Sequence, residues 1–249
     1  MEYKFSDKIS SLQPSAIREI LKATSVPGMI ALAAGNPAPD AFPIDAIREI
    51  AKDIFDNRPI EALQYGVTEG YQPLIERVTD WMHNDKKIGK DTDSLIITSG
   101  AQQVMDLATK VLCNEGDVII SETPSFIGSR NCFRAYSVKL RGVEIEDDGI
   151  NIEGLEKALK EEKNARFIYV IPNFQNPSGV TMSFEKRKAV YELARKYNVM
   201  ILEDNPYGDT RVAGEDVPSI KSLDEDGRVI YAGSFSKVMA PGIRVGYVL

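Results

Sequence analysis

The 249-residue chain is 43% hydrophobic and 27% charged, enough to bury a substantial core as one large domain or two smaller ones. Its 37 carboxylates against 30 Lys and Arg give a net charge of −7, which argues against a general binder of nucleic-acid backbone. Two cysteines, Cys113 and Cys132, without a CxxC pairing, and one histidine, argue against a disulfide framework, a thiolate zinc site, most histidine metal centres and a Ser-His-Asp triad not built on His83.

In chain order, the opening "MEYKFSDKISSLQPSAIREI" has no apolar h-region, and no stretch approaches the ~20 apolar residues of a membrane span, so a cytoplasmic protein without membrane contact is expected. "SAIREILKAT" reads as a short helix, and residues 1–35 as an N-terminal arm that runs into "GMIALAAGNPAPDAFP". "IDAIREIAKDIFDN" sets Ile44, Ile47, Ile50, Ala51 and Ile54 on one helical face, and "YQPLIERVTDWMHND" repeats the pattern, with His83 in a structural place at its polar end. From residue 94, short apolar runs ("SLIITSG", "DVIIS", "FIYVIP", "VMILED", "RVIYAGS", "VGYVL") alternate with helical stretches such as "AQQVMDLATKVLC" and "SFEKRKAVYELARKY". Residues 36–249 are therefore expected to form an α/β domain, a mostly parallel sheet sandwiched by helices. Too few residues separate the last two runs for a helical crossover, so that pair is expected to be antiparallel.

Ligands of open α/β sheets bind beyond the carboxyl ends of the strands, and four such ends here carry polar groups. "TSGAQQ" has the form strand, Ser-Gly, helix, which aims free N–H groups and a positive dipole end at an anion, while Ser99 taken alone reads equally as a helix cap. "PNFQNPSG" supplies an amide. Asp204 in "EDNPY" closes an apolar run, where a carboxylate needs exposure or a cation, yet "DNPYGD" is also good turn chemistry. "GSFSK" with Arg244 offers two hydroxyls and a guanidinium as an anion cradle beside Lys237, which alone reads as a solvated loop lysine. Each bland reading stands singly; together they would place an acid, an amide, an anion cradle and a lysine at one sheet edge by chance. The combination suits pyridoxal 5'-phosphate, which needs an amine, a carboxylate for its ring nitrogen, donors to its phenolic oxygen, an apolar ring face and a phosphate cup.

With "AAGNP", "QYGVTEGY", "TSGAQQ", "PNFQNPSG", "EDNPYGD" and "GSFSKVMAPGIRVGYV" in order from about residue 30 to the end, the sequence resembles the fold-type I aminotransferases of class I/II, in the group of 2-aminoadipate and kynurenine enzymes. The resemblance implies that Lys237 carries the Schiff base, that Asp204 pairs with the ring nitrogen, that Tyr207 and Asn176 bond the phenolic oxygen, and that Phe126 stacks on the ring. It assigns the phosphate to Gly100, Ala101 and Gln102 at the helix start, to Ser234, Ser236 and Arg244, and to Tyr65 from the second subunit of a homodimer. Gly35 and Asn176 would line the substrate pocket. An amino group would pass from an L-amino acid to a 2-oxo acid in a ping-pong cycle, with Lys237 as the base.

Family members continue past the strand matching "RVGYVL" into a smaller C-terminal domain carrying the arginine for the substrate carboxylate, so a fragment, or a cofactor module without turnover, is an alternative expectation. A carbon-sulfur lyase or decarboxylase of the same fold fits the same motifs. A cofactor-sensing regulator would need a DNA-binding segment for which the arm before residue 30 leaves no room.

Overall fold

The protein is described from a computed structural model over residues 3–10 and 35–249. The helix expected in "SAIREILKAT" and most of the 1–35 arm lie outside the described residues. Helices α1 (Asp7–Ser10), α2 (Ile44–Asn57), α3 (Pro59–Leu63) and α4 (Gln72–Trp81) precede the first strand. Proline stands in the first turn of α3 and of α4, where its missing N–H breaks no helical bond. The isoleucine face read along α2 forms, but Ile44 and Ile50 stay 56% and 54% exposed. His83 sits in a π-helical turn after α4, against Gly89.

Eight strands make one sheet: β1 (Ile96–Thr98), β2 (Val118–Thr123), β3 (Lys139–Glu146), β4 (Gly149–Ile150), β5 (Ala165–Val170), β6 (Met200–Asp204), β7 (Val229–Ser234) and β8 (Gly246–Val248), in the order β1-β8-β7-β6-β5-β2-β3-β4. Pairings from β7 through β6, β5 and β2 to β3 are parallel. As expected from the short link, β8 runs antiparallel to β7, and it then pairs antiparallel with β1. Strands β3 and β4, at one end of the sheet, are absent from the run of apolar segments read in the sequence. β3 carries Lys139, Arg141, Glu144 and Glu146 and buries only Val143, as a strand near a sheet edge does.

Helices α5 (Ala101–Leu112) and α6 (Ile127–Arg134) cover one face; α7 (Ile152–Glu161) and α8 (Phe184–Tyr197) cover the other. Successive strand residues go to opposite cores: Val118, Ile120, Ile168 and Ile201 pack with Leu155, Leu159 and Val190, and Ile119, Phe167, Tyr169 and Leu202 pack with Val104, Met105 and Phe133. Each such fully buried side chain stabilises the fold by ~1.5–3 kcal/mol. The same period of two separates adjacent acids at the end of β6. Glu203 turns to the α7/α8 side, accepting the Ile220 and Lys221 N–H groups at 2.9 and 2.8 Å. Asp204 follows Leu202 to the α5/α6 side, and there lies the cleft.

Candidate active site

The ends of β5, β6 and β7 and the starts of α5 and α6 border one cleft of about 540 Å³. One end of it is made where the chain is tightest. Gly100 ends the turn before α5 at φ 77°, and no side chain caps the helix, so its first turn faces the cleft through Ala101 and Gln102 with the positive dipole end. Ser99 is not the cap considered from the sequence: its N–H donates to Gln103 Oε1 at 2.6 Å and its carbonyl accepts from Arg244 Nη2 at 3.1 Å. A side chain at Gly246 would meet the Gly100 backbone at 2.7 Å, so β8 can approach the helix start only as glycine. Ser234 and Ser236 complete this end, the Ser236 N–H donating to Ser234 Oγ at 3.1 Å.

At the floor, Asp204 is 4% exposed. Its Oδ2 accepts the Tyr169 hydroxyl at 2.7 Å, while Oδ1 is buried without a partner among the described residues. Burial pushes the carboxyl up to about 7, against the pull of the Tyr169 hydrogen bond. Asp204 is thus neither a surface acid nor a turn cap. A buried carboxylate oxygen left bare is costly, and a cationic N–H donor in the cleft would relieve that cost.

Lys237 lines the same cleft, its Nζ donating to the Gly35 carbonyl at 2.8 Å and lying 5.9 Å from the centre of the Tyr207 ring. Partial burial lowers its pKa, which raises the fraction of free amine at neutral pH. Asn176 Nδ2 donates to the Tyr207 hydroxyl at 3.0 Å, bringing an amide and a phenol to one point, and the Phe126 ring borders the same space.

Of the residues expected at the site, Gly35, Ala101, Gln102, Phe126, Asn176, Asp204, Tyr207, Ser234, Ser236, Lys237 and Arg244 line this cleft. Gly100 lies behind it, under Arg244. Tyr65 is 99% exposed and does not reach the cleft of its own chain.

Sequence reasoning missed the support beneath. Glu122, 1% exposed at the end of β2, accepts from the Ile171 N–H at 3.0 Å and from Gln175 Nε2 at 3.2 Å. Gln175 also donates to the Pro124 carbonyl at 2.9 Å and accepts from the Ser178 N–H and hydroxyl at 2.9 and 2.7 Å. One carboxyl and one amide therefore tie the loop carrying Phe126 to the loop carrying Asn176. Burial, first, and the nearby Asp204 push Glu122 up to about 8. Tyr169 was legible only as one apolar position in "FIYVIP"; its phase with Phe167 and Ile171 was the available signal.

The chain matches the family described as aminotransferase class I and II over residues 27–249. It is 42% identical to aromatic-amino-acid aminotransferase 1 of Thermococcus litoralis, an alignment covering 99% of this chain and 60% of that one. Among solved structures, it resembles a kynurenine aminotransferase of Pyrococcus horikoshii in complex with PMP (TM-score 0.92, 40% identity, 98% of this chain and 61% of that one). It also resembles an α-aminoadipate aminotransferase of Thermus thermophilus complexed with N-(5'-phosphopyridoxyl)-L-leucine (TM-score 0.88, 35% identity, 98% and 61%). The chain thus spans about 60% of the length of these relatives. A cleft lined by a lysine, a bare buried carboxylate and a helix start agrees with that kinship, and the chain belongs to the class I and II aminotransferase family.

Proposed function

We propose that this chain carries the pyridoxal 5'-phosphate site of an aminotransferase that moves an amino group between an L-amino acid and a 2-oxo acid. The observation that carries the reading is that Lys237 and Asp204, whose Oδ1 is buried without a partner among the described residues, line one cleft. Bound there, pyridoxal phosphate would supply an aldehyde for the amine and a protonated ring that accepts the electron pair left when a C–H bond beside nitrogen breaks. Asp204 would hold the ring N–H and keep the ring cationic. Asn176 and Tyr207 would donate to the phenolic oxygen, and Phe126 would cover one face. Ala101, Gln102, Ser234, Ser236 and Arg244 would bind the phosphate, with Gly100 giving Arg244 its seat. Lys237, as free amine, would take the proton from Cα of the amino acid, and its flexible stem suits delivery to a second carbon. Gly35 and Asn176 would border the substrate.

Tyr65, exposed in its own chain, would reach the phosphate of a second copy, making a homodimer part of the proposal. No helix among the described residues is long and apolar enough to cross a membrane. The free thiols Cys113 and Cys132 fit a reducing compartment, and we include a cytoplasmic location in the proposal.

The test is an absorption titration with pyridoxal phosphate. Wild type should develop the visible band of the lysine-linked cofactor and Lys237→Ala should not; equal bands would remove Lys237 from the site. An amino acid added without a 2-oxo acid should then convert the bound cofactor to its pyridoxamine form. A lyase would instead release product and leave the aldehyde form.

A further inference from the structure

Beneath the cleft floor, side chains from three elements form one hydrogen-bonded line. Tyr169, fully buried on β5, places its hydroxyl 2.7 Å from Asp204 Oδ2 and 2.8 Å from Ser129 Oγ. Ser129, on α6, is 1% exposed and borders the cleft. The single Tyr169 proton can be given to only one neighbour at a time. With Asp204 ionised, Tyr169 donates to Oδ2 and Ser129 donates to the Tyr169 oxygen. With Asp204 protonated at Oδ2, the carboxyl donates to Tyr169 and Tyr169 donates to Ser129. The line therefore accommodates gain or loss of one proton at Asp204 by reversing its direction, leaving none of the three hydroxyl or carboxyl groups in it unpaired. Oδ1 takes no part in it.

We propose that Tyr169, backed by Ser129, is a positioning residue that pins one oxygen of Asp204, leaves the other for the cleft, and so sets the carboxylate charge that receives a cationic ring nitrogen. This deepens the assignment of the cleft to pyridoxal phosphate and rests on it. The physical contest is between burial, which favours neutral Asp204, and the Tyr169 hydrogen bond, which favours the ionised form. Glu122 at the end of β2 and Tyr207 after β6 are the ionisable groups that feel the Asp204 charge, and Lys237 lines the same cleft. The register partner of Asp204 on β7 is Ala232, and α5 contributes Met105 to the cleft lining; neither carries a charge.

Tyr169→Phe keeps the ring that packs edge-on against Phe133 at 5.1 Å and removes only the hydroxyl. In cofactor-free protein with 13C-labelled aspartate, the Asp204 carboxyl titration should move up by about one to two pH units in this variant. Ser129→Ala should move it in the same direction and by less. Phe133→Leu, which disturbs the packing and not the hydrogen bonds, should lower the melting temperature and leave the titration in place. Half-saturation with pyridoxal phosphate at pH 7.5 should need about tenfold more cofactor in Tyr169→Phe. That deficit should shrink at higher pH, where Asp204 ionises without help. An unmoved Asp204 titration in folded Tyr169→Phe overturns the proposal; should that variant not fold, an unmoved titration in Ser129→Ala does so. If wild type forms no lysine-linked band, the assignment of the cleft fails instead, while the cofactor-free titration still decides whether Tyr169 governs the charge of Asp204.

Discussion

Arg244 lies across Gly100: its Nη2 donates to the Ser99 carbonyl at 3.1 Å, and a Cβ at Gly100 would come within 2.5 Å of the same nitrogen. The contact joins the turn before β8 to the start of α5, two segments far apart in the chain, and fixes the cation over the helix end. Gly100→Ala should cost ~1–3 kcal/mol, because φ 77° is strained for any side chain, and should displace the guanidinium. The expected outcome is a melting temperature lower by several degrees and weaker binding of pyridoxal phosphate, with a smaller loss for pyridoxal lacking the phosphate. Thermal melts and absorption titrations with both compounds check it.

The buried carboxyl of Asp204 makes the stability of the cofactor-free protein depend on pH. Its folded pKa is raised from 3.8 to about 7, so between those values the folded chain holds more protons than the unfolded one. Stability is then fully present below about pH 4 and is lost as pH rises through about 7. Asp204→Asn should remove this slope, be more stable than wild type at pH 8 by on the order of a few kcal/mol, and so melt at a higher temperature there. Added pyridoxal phosphate should reverse the order, stabilising wild type and leaving the variant nearly unchanged. Melting curves from pH 5 to 8.5 with and without the cofactor measure both effects.

Glu122 titrates higher still, at about 8, and the same sign applies: its contribution is lost between about 4.5 and 8 as pH rises. Glu122→Gln keeps an oxygen for the Ile171 N–H and should match wild type near neutrality, then hold its stability above pH 8 where wild type declines. Glu122→Ala leaves the Ile171 N–H and one Gln175 donor without their acceptor and should cost ~1–3 kcal/mol for each. By loosening the Asn176 loop, it should also weaken cofactor binding. Denaturant unfolding at pH 7 and 9 separates the two variants.

Tyr65 and Lys237 should behave as residues of different copies. Tyr65→Phe should bind pyridoxal phosphate weakly and Lys237→Ala should give no visible band. A mixture allowed to exchange subunits would contain heterodimers with one intact site. The band should appear in the mixture at a cofactor concentration too low to fill Tyr65→Phe alone. Absence of recovery, with exchange shown by mass-tagged chains, would place Tyr65 outside the site.

The fold was legible where strands are buried on both faces. "DVIIS", "FIYVIP" and "VMILED" are continuously apolar because β2, β5 and β6 lie between two helical layers. β3 escaped because Arg141 and Glu144 on a near-edge strand carry no such signal. The isoleucine face of α2 is legible as a helical periodicity, but periodicity marks a face without burying it, and Ile44 and Ile50 stay exposed.

The sequence by itself determined the chemistry available at the strand ends, a lysine, an acid, an amide, hydroxyls and a guanidinium beside a Ser-Gly helix start, because local order alone puts such residues after apolar runs. Only the tertiary structure decided which of them meet and in what state. Strand parity sent Asp204, and not Glu203, to the side of the cleft. Burial beside Tyr169 left one Asp204 oxygen bare and raised its pKa, and Glu122 reached across from β2 to hold the loop of Asn176. Hydrogen bonds and desolvation act between residues 35 to 53 positions apart in the chain, so they exist only once the sheet has brought its strands together.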